Sequence, residues 1–223
     1  MTPSTEPALN EVTDPPVSGE NPPVPLQIGP RLRARREQVG VSLRETARRV
    51  GVSASLISQI ERNKVNPSVS TLYSLVQELG ITMGELFGTD GPATSISQAT
   101  PPGSGDGVVR HHQHAVINLG SGVHWERLTA ASDPLVEFLR VIYEPGSESC
   151  PEGALLRHVG KEYGYVTQGR LGVQIGFEKH ELTVGDSISF DSSSPHRLWT
   201  VGHESAEAVW FVVGRQGDGR HKL

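Results

Sequence analysis

The chain has 223 residues, a formal charge of −5 at neutral pH and one cysteine, Cys150. That length allows one large domain or two small ones, and a single thiol excludes an internal disulfide and fits a reducing, cytoplasmic setting. No apolar run approaches the roughly eighteen residues that a membrane span needs, and no basic-then-apolar signal segment opens the chain.

Charge and composition change along the chain. Residues 1–26 carry four acids and no Lys or Arg. With Pro15-Pro16, Pro22-Pro23 and Pro25 among Ser and Thr, this tail cannot bury enough apolar surface to order itself and is expected to be disordered. Residues 27–88 hold nine basic and five acidic side chains. A positive module inside an acidic chain is the footprint of a phosphate-binding domain, although Arg31, Arg33, Arg35 and Arg36 fit a solvated helix face equally well. Residues 89–107, rich in Pro, Gly and Ser, read as a flexible linker, and 108–223 form a second unit.

Five short helices are predicted in the basic module. Ile28 to Gly40 is amphipathic, with Leu32 and Val39 inward. Ser42 caps a second helix, with Glu45 completing a capping box. Ala47 is small where helices must approach, and Gly51 supplies the positive φ of a tight turn. Ser53 caps a third helix whose Ile57 and Ile60 share a buried face, leaving Ser55, Ser58 and Gln59 on the other. Ser68 opens a fourth helix with Leu72, Leu75, Val76 and Leu79 inward and Gly80 as its stop. Thr82 and Glu85 form another capping box before Leu86-Phe87.

Leu43 to Arg62, LRETARRVGVSASLISQIER, has the spacing of a helix-turn-helix. Residues 28–88 as a whole resemble the phage-repressor/Cro-like, or XRE-type, helix-turn-helix domain. Asn63 stands where that family usually has Gly, and Asn is the next best residue in the αL conformation. The resemblance implies that the third helix enters the major groove of double-stranded DNA. Ser53, Ala54, Ser55, Ser58 and Gln59 then face base edges, Gln59 suiting adenine and Ala54 a thymine methyl. Arg44, Lys64 and Asn66 are expected at phosphates. One such module buries too little surface for tight recognition, so a homodimer on a pseudo-palindromic operator is expected.

Beyond the linker, helical periodicity gives way to short alternating runs: 122–128, 137–143, 171–175, 187–190 and 208–213. Turn residues between them predict a β-sandwich or barrel. The segments YEPGSES, LRHVGKEYGYVTQGRLGVQIG, LTVGDSISF and SSPHRLW together resemble the cupin family, a double-stranded β-helix barrel, over about 135–214. His158 and Glu162 fall on the second His and the Glu of its first motif. Gly169, Gly185-Asp186 and Pro195-His196 match the rest. Leu156 takes the place of the first His, and Thr200 sits where Asn is common. The fold expected is therefore α + β in two domains, an all-α five-helix helix-turn-helix module followed by a cupin barrel.

His158 and Glu162, four apart, face one way if both lie on one strand. With His196 they make the two-His, one-carboxylate set that suits Fe, Mn, Ni or Zn. A metal-free pocket, in which the same groups hydrogen-bond an organic effector, stays open. Tyr163, Tyr165, Trp199 and Trp210 are expected to serve as core or pocket wall, and Tyr163 or Tyr165 can cap the ligand. His111, His112 and His114 read as a solvent-facing strand end, and Cys150 as a spectator thiol near the pocket mouth. The order of the two domains resembles bacterial XRE–cupin regulators, which implies a cytoplasmic, ligand-sensing transcriptional regulator, repression being the default, with no catalytic residues. The alternative is a mononuclear iron oxygenase, because hydroxypropylphosphonate epoxidase also resembles a helix-turn-helix module joined to a cupin.

Overall fold

The computed structural model describes residues 23, 25–88, 107–133 and 135–214. Nearly all of the expected disordered tail and flexible linker lies outside these residues. Five helices come first: α1 (Gly29–Gln38), α2 (Leu43–Val50), α3 (Ala54–Glu61), α4 (Val69–Leu79) and α5 (Met83–Phe87). Side-chain caps set most of their starts. Ser42, Ser53, Ser68 and Thr82 each accept the amide three residues on, and Thr82 with Glu85 closes a full capping box. Glu45 departs from expectation: its carboxylate pairs with Arg48 and Arg49 instead of closing the box at Ser42. Gly51 takes φ 79° and Asn63 takes φ 53°. The amides of Asn63 and Lys64 return to Ile60 and Gln59, the paired bonds of a Schellman stop.

Val39 is 41% exposed, not inward. α1 ends at Gln38, one residue short of the turn that would carry Val39 onto the face of Leu32. The inward position one turn after Leu32 goes to Arg36, which is buried.

Among the described residues of the second half, one 3-10 turn (His111–Gln113) is followed by nine strands: β1 (Ala115–Asn118), β2 (Val123–Arg127), β3 (Val136–Tyr143), β4 (Lys161–Gln168), β5 (Leu171–Ile175), β6 (Glu178–Leu182), β7 (Ser187–Asp191), β8 (His196–Thr200) and β9 (Ala206–Val213). They pair antiparallel into a six-stranded sheet, β1-β2-β3-β9-β4-β7, and a three-stranded sheet, β6-β5-β8. Alternation sets the core face. Leu139, Val141 and Tyr143 of β3 are buried, as are Glu162 and Val166 of β4 and Ala206, Ala208, Trp210 and Val212 of β9. Gly164, between Glu162 and Val166, leaves room for Trp210, whose ring would stand 2.0 Å from a Cβ there.

The two halves share one apolar core, which runs from Leu32 and Leu72 through Trp125 to Trp210. The residues just before α1 are tied to the barrel, with Pro25 bridging Val116 and the Leu26 amide donating to the Val116 carbonyl at 2.7 Å. The Gly120 amide donates to the Pro67 carbonyl at 2.9 Å. Arg127 lies 5.5 Å over the Phe87 ring.

Candidate functional site

Helices α2 and α3 meet at the Gly51 turn with Ala47, Ile57 and Ile60 buried between them and the rest of the bundle. This packing leaves one edge of α3 outward. Ser53 and Ser55 are exposed, and Ala54, Ser58 and Gln59 are half-buried. Arg44, Lys64 and Asn66 are exposed around that edge. Most other cations of the module are already engaged. Arg31 donates to the Glu85 and Leu86 carbonyls, and Arg35 to those of Leu79 and Gly80. Such bonds satisfy the orphan carbonyls at helix C-termini. Arg33 pairs with Glu37, and Arg49 joins Glu45 to Glu78. Among the described residues, Arg44 and Lys64 have no ion-pair partner, so the surface available to phosphates is narrower than the charge count implies.

In the barrel, His158, Glu162 and His196 converge, each offering one ligand atom within 4.8 Å of the others. Glu162 comes from β4 and His196 from the start of β8. His158 lies on the loop before β4 rather than on that strand, so strand alternation does not orient it. Glu162 Oε2 accepts from Trp210 Nε1 at 2.7 Å. Oε1 lies 3.0 Å from His158 Nε2 and 3.3 Å from His196 Nε2, yet it is buried without a well-directed hydrogen bond. The distal ring nitrogens explain this. His196 Nδ1 lies 2.9 Å from the Ser194 carbonyl and His158 Nδ1 lies 3.2 Å from that of Val159. A carbonyl only accepts, so each Nδ1 carries the proton, and a neutral ring then turns an Nε2 lone pair toward Glu162. Three lone-pair donors facing one another repel unless a cation or added protons lie between them. Backbone carbonyls that fix the imidazole tautomer are also the usual outer support of metal-binding histidines. These residues fit a divalent cation.

Burial raises the Glu162 carboxyl pKa, but when added protons lie between the three groups, the hydrogen bond from His158 and the charge of His196 outweigh burial and hold it at about 2. The group is therefore an anion at neutral pH. Burial pushes the Tyr143 phenol well above its usual range, which keeps it neutral. The cavity beside the cluster is small, about 30 Å³, room for an ion or one or two waters. Leu156 lines it and pairs by a backbone bridge with His196, apolar where the cupin pattern has a ligand.

Tyr163 and Tyr165 are corrected by this geometry. They are 42% and 50% exposed on the outer face of β4, because Glu162 and Gly164 take the inward alternation. The tyrosines at the cavity are Tyr143 of β3 and Tyr73 of α4. Helical periodicity marked α4, but nothing local to Tyr73 shows that a barrel covers it. Trp210 is a wall residue as expected, whereas Trp199 packs under the Arg197 guanidinium. His111 and His112 are exposed, and His114 faces Glu126 at 3.5 Å. Cys150 is buried, its thiol pushed up by that burial and bonded to the Ala154 carbonyl, a setting that disfavours reactivity.

Residues 32–86 match the family described as Helix-turn-helix, and residues 139–212 that described as Cupin domain. Over 173 residues the chain is 30% identical to the HTH-type transcriptional regulator PuuR of Escherichia coli (strain K12), covering 77% of this chain and 86% of PuuR. It is 28% identical to the HTH-type transcriptional regulator SutR of the same strain over 179 residues, 78% of this chain and 87% of SutR. In fold it is similar to an HTH_3 family transcriptional regulator from Vibrio cholerae, with a TM-score of 0.55, 23% identity, and coverage of 84% of this chain and 94% of that one.

Proposed function

The chain belongs to the helix-turn-helix transcriptional regulators that carry a C-terminal cupin domain, and from that premise we propose that it is a cytoplasmic, sequence-specific repressor whose barrel senses a small effector. Helix α3 enters the major groove of double-stranded DNA with Ser53, Ala54, Ser55, Ser58 and Gln59 toward base edges. Arg44, Lys64 and Asn66 contact phosphates and set affinity without reading sequence. The observation that carries this reading is the outward polar edge of α3, flanked by Arg44 and Lys64 while most neighbouring cations are bound internally.

We infer a homodimer on a pseudo-palindrome. The outer face of β3, β9 and β4 supports it: Phe138 stacks on Phe211 at 4.4 Å, and Tyr163 continues the same row. Such an aromatic row is what a self-pairing sheet face needs. In the barrel, His158, Glu162 and His196 would hold a divalent cation (Fe, Zn, Mn or Ni), which would supply a Lewis-acid anchor for one small donor group of the effector in place of a water. Glu162 provides the charge and the histidines the direction.

Selection from a random duplex library with the full-length protein tests the reading. The expected outcome is an enriched inverted repeat, half-sites about one turn apart, bound by a dimer at least about 10³-fold above shuffled duplex. No enrichment, or tight binding of a lone half-site by a monomer, overturns it. The iron-oxygenase alternative uses the same three ligands, and stoichiometric iron together with indifference to every duplex would favour it.

A further inference from the structure

Helix α4 belongs to the helical module, yet it closes the barrel's cavity. Val69 and Tyr73, one turn apart, line that cavity together with Glu162 and His196. The Tyr73 ring lies flat on His158, centroids 5.0 Å apart and planes 12° from parallel. His158 in turn meets His196 edge-on at 5.1 Å. A row of rings thus runs from the DNA-binding half into the ligand cluster. His158 needs such a wall. It stands on a loop, so no strand ladder fixes its ring, and its Nδ1 contact is to the adjacent Val159 carbonyl.

The other side of α4 is fastened to the recognition unit. Glu78 holds Arg49 of α2 at 2.6 Å. The segment that follows α3 carries Lys64 and Asn66 and leads directly to Ser68, the cap of α4. A shift of α4 therefore moves groups that flank the DNA-facing edge.

We propose that Tyr73 is a positioning residue of the barrel's cation site, supplied by the DNA-binding module: it holds His158 Nε2 toward Glu162 and His196, and so couples ligation to the docking of α4. The proposal rests on reading that cluster as a divalent-cation site. A cation that requires His158 in place binds the docked arrangement better than a loosened one, and only such differential affinity lets it shift the population. The arrangement also places the coupling in one chain, so it operates before any dimer contact is considered.

Titration of the full-length protein with Co²⁺, followed by its visible absorption, together with amide hydrogen exchange over residues 68–73, tests this. The unsubstituted protein binds Co²⁺ and exchanges more slowly in α4 when loaded. Tyr73→Ala binds roughly 10–100-fold more weakly, the usual effect of losing an outer-shell support, and loses the slowing. Tyr73→Phe, which keeps the flat ring, restores both. Tyr73→Leu fills the space without a flat face and serves as the test should the alanine variant not fold. Wild-type Co²⁺ affinity in the alanine or leucine variant overturns the proposal. So does failure of the phenylalanine variant, or α4 exchange that is blind to Co²⁺. If the unsubstituted protein takes up no Co²⁺, the cation site itself is refuted and this proposal with it. Uptake that is indifferent to Tyr73 refutes only the positioning role.

Discussion

Glu61 in the helical module and Glu162 in the barrel are both buried carboxylates, and they are held in opposite ways. Arg36 grips Glu61 with two donors, at 2.5 Å and 2.9 Å, and spends a third on the Val41 carbonyl. Every charge there has a partner, and nothing is left to bind. Glu162 has one oxygen filled by Trp210 and the other turned into a gap between two imidazoles. The first arrangement is a clasp that joins α1 to α3 and fixes the angle of the recognition helix. The second is a set of three donors that could hold a metal ion. Burial alone does not separate the two; the direction of the donors does.

The largest expected effect breaks the clasp. Arg36→Met strands the Glu61 charge and should cost about 3–5 kcal/mol in urea unfolding, whereas adding Glu61→Leu should recover most of it. A loss below about 1 kcal/mol for the single variant would remove the distinction. Next is the open site. A divalent cation at 100 times its dissociation constant should stabilise the protein by about 2.7 kcal/mol, and a chelator should abolish that gain. Glu162→Gln should eliminate the gain while lowering metal-free stability far less than Arg36→Met does, because the amide still accepts from Trp210 and donates toward the histidines. Large metal-free destabilisation would make Glu162 a structural group like Glu61.

The effects on DNA are smaller. Gln59→Ala should cost about 1–3 kcal/mol on the selected sequence and little on random duplex. Equal losses on both would deny it a base contact. Lys64→Ala should weaken both and lower the salt slope by about 1. Arg33→Ala, which removes a partner of Glu37 instead, should leave the slope unchanged, and a reduced slope would extend the phosphate surface onto α1.

The contrast between the halves also explains what the sequence discloses. The helical caps are local: Ser53, Ser68, Thr82 and Gly80 act within a few residues, so their spacing reveals them. The Arg36–Glu61 clasp is not legible, because its partners are twenty-five residues apart and Arg36 reads as one of a solvated arginine cluster. Strands β2, β3, β5, β7 and β9 show as alternating runs. β6 does not, since most of its residues are exposed at a sheet edge and no alternation is needed. The ligand set is readable by its likeness to the cupin pattern, but His158 is not on a strand, and its convergence with Glu162 depends on a loop. Tyr163 and Tyr165 were natural candidates beside Glu162, and the alternation of β4 turns both away. Tyr73 carries no local mark because its proposed role arises only where the helical and the strand patterns meet.

The most direct measurement is the Co²⁺ affinity of the full-length protein with and without saturating amounts of its selected duplex. If the barrel site and the recognition helix are coupled, the two affinities should differ by roughly 5- to 150-fold, and by linkage Co²⁺ should change duplex affinity by the same factor. Identical Co²⁺ affinities in the presence and absence of DNA would contradict the account.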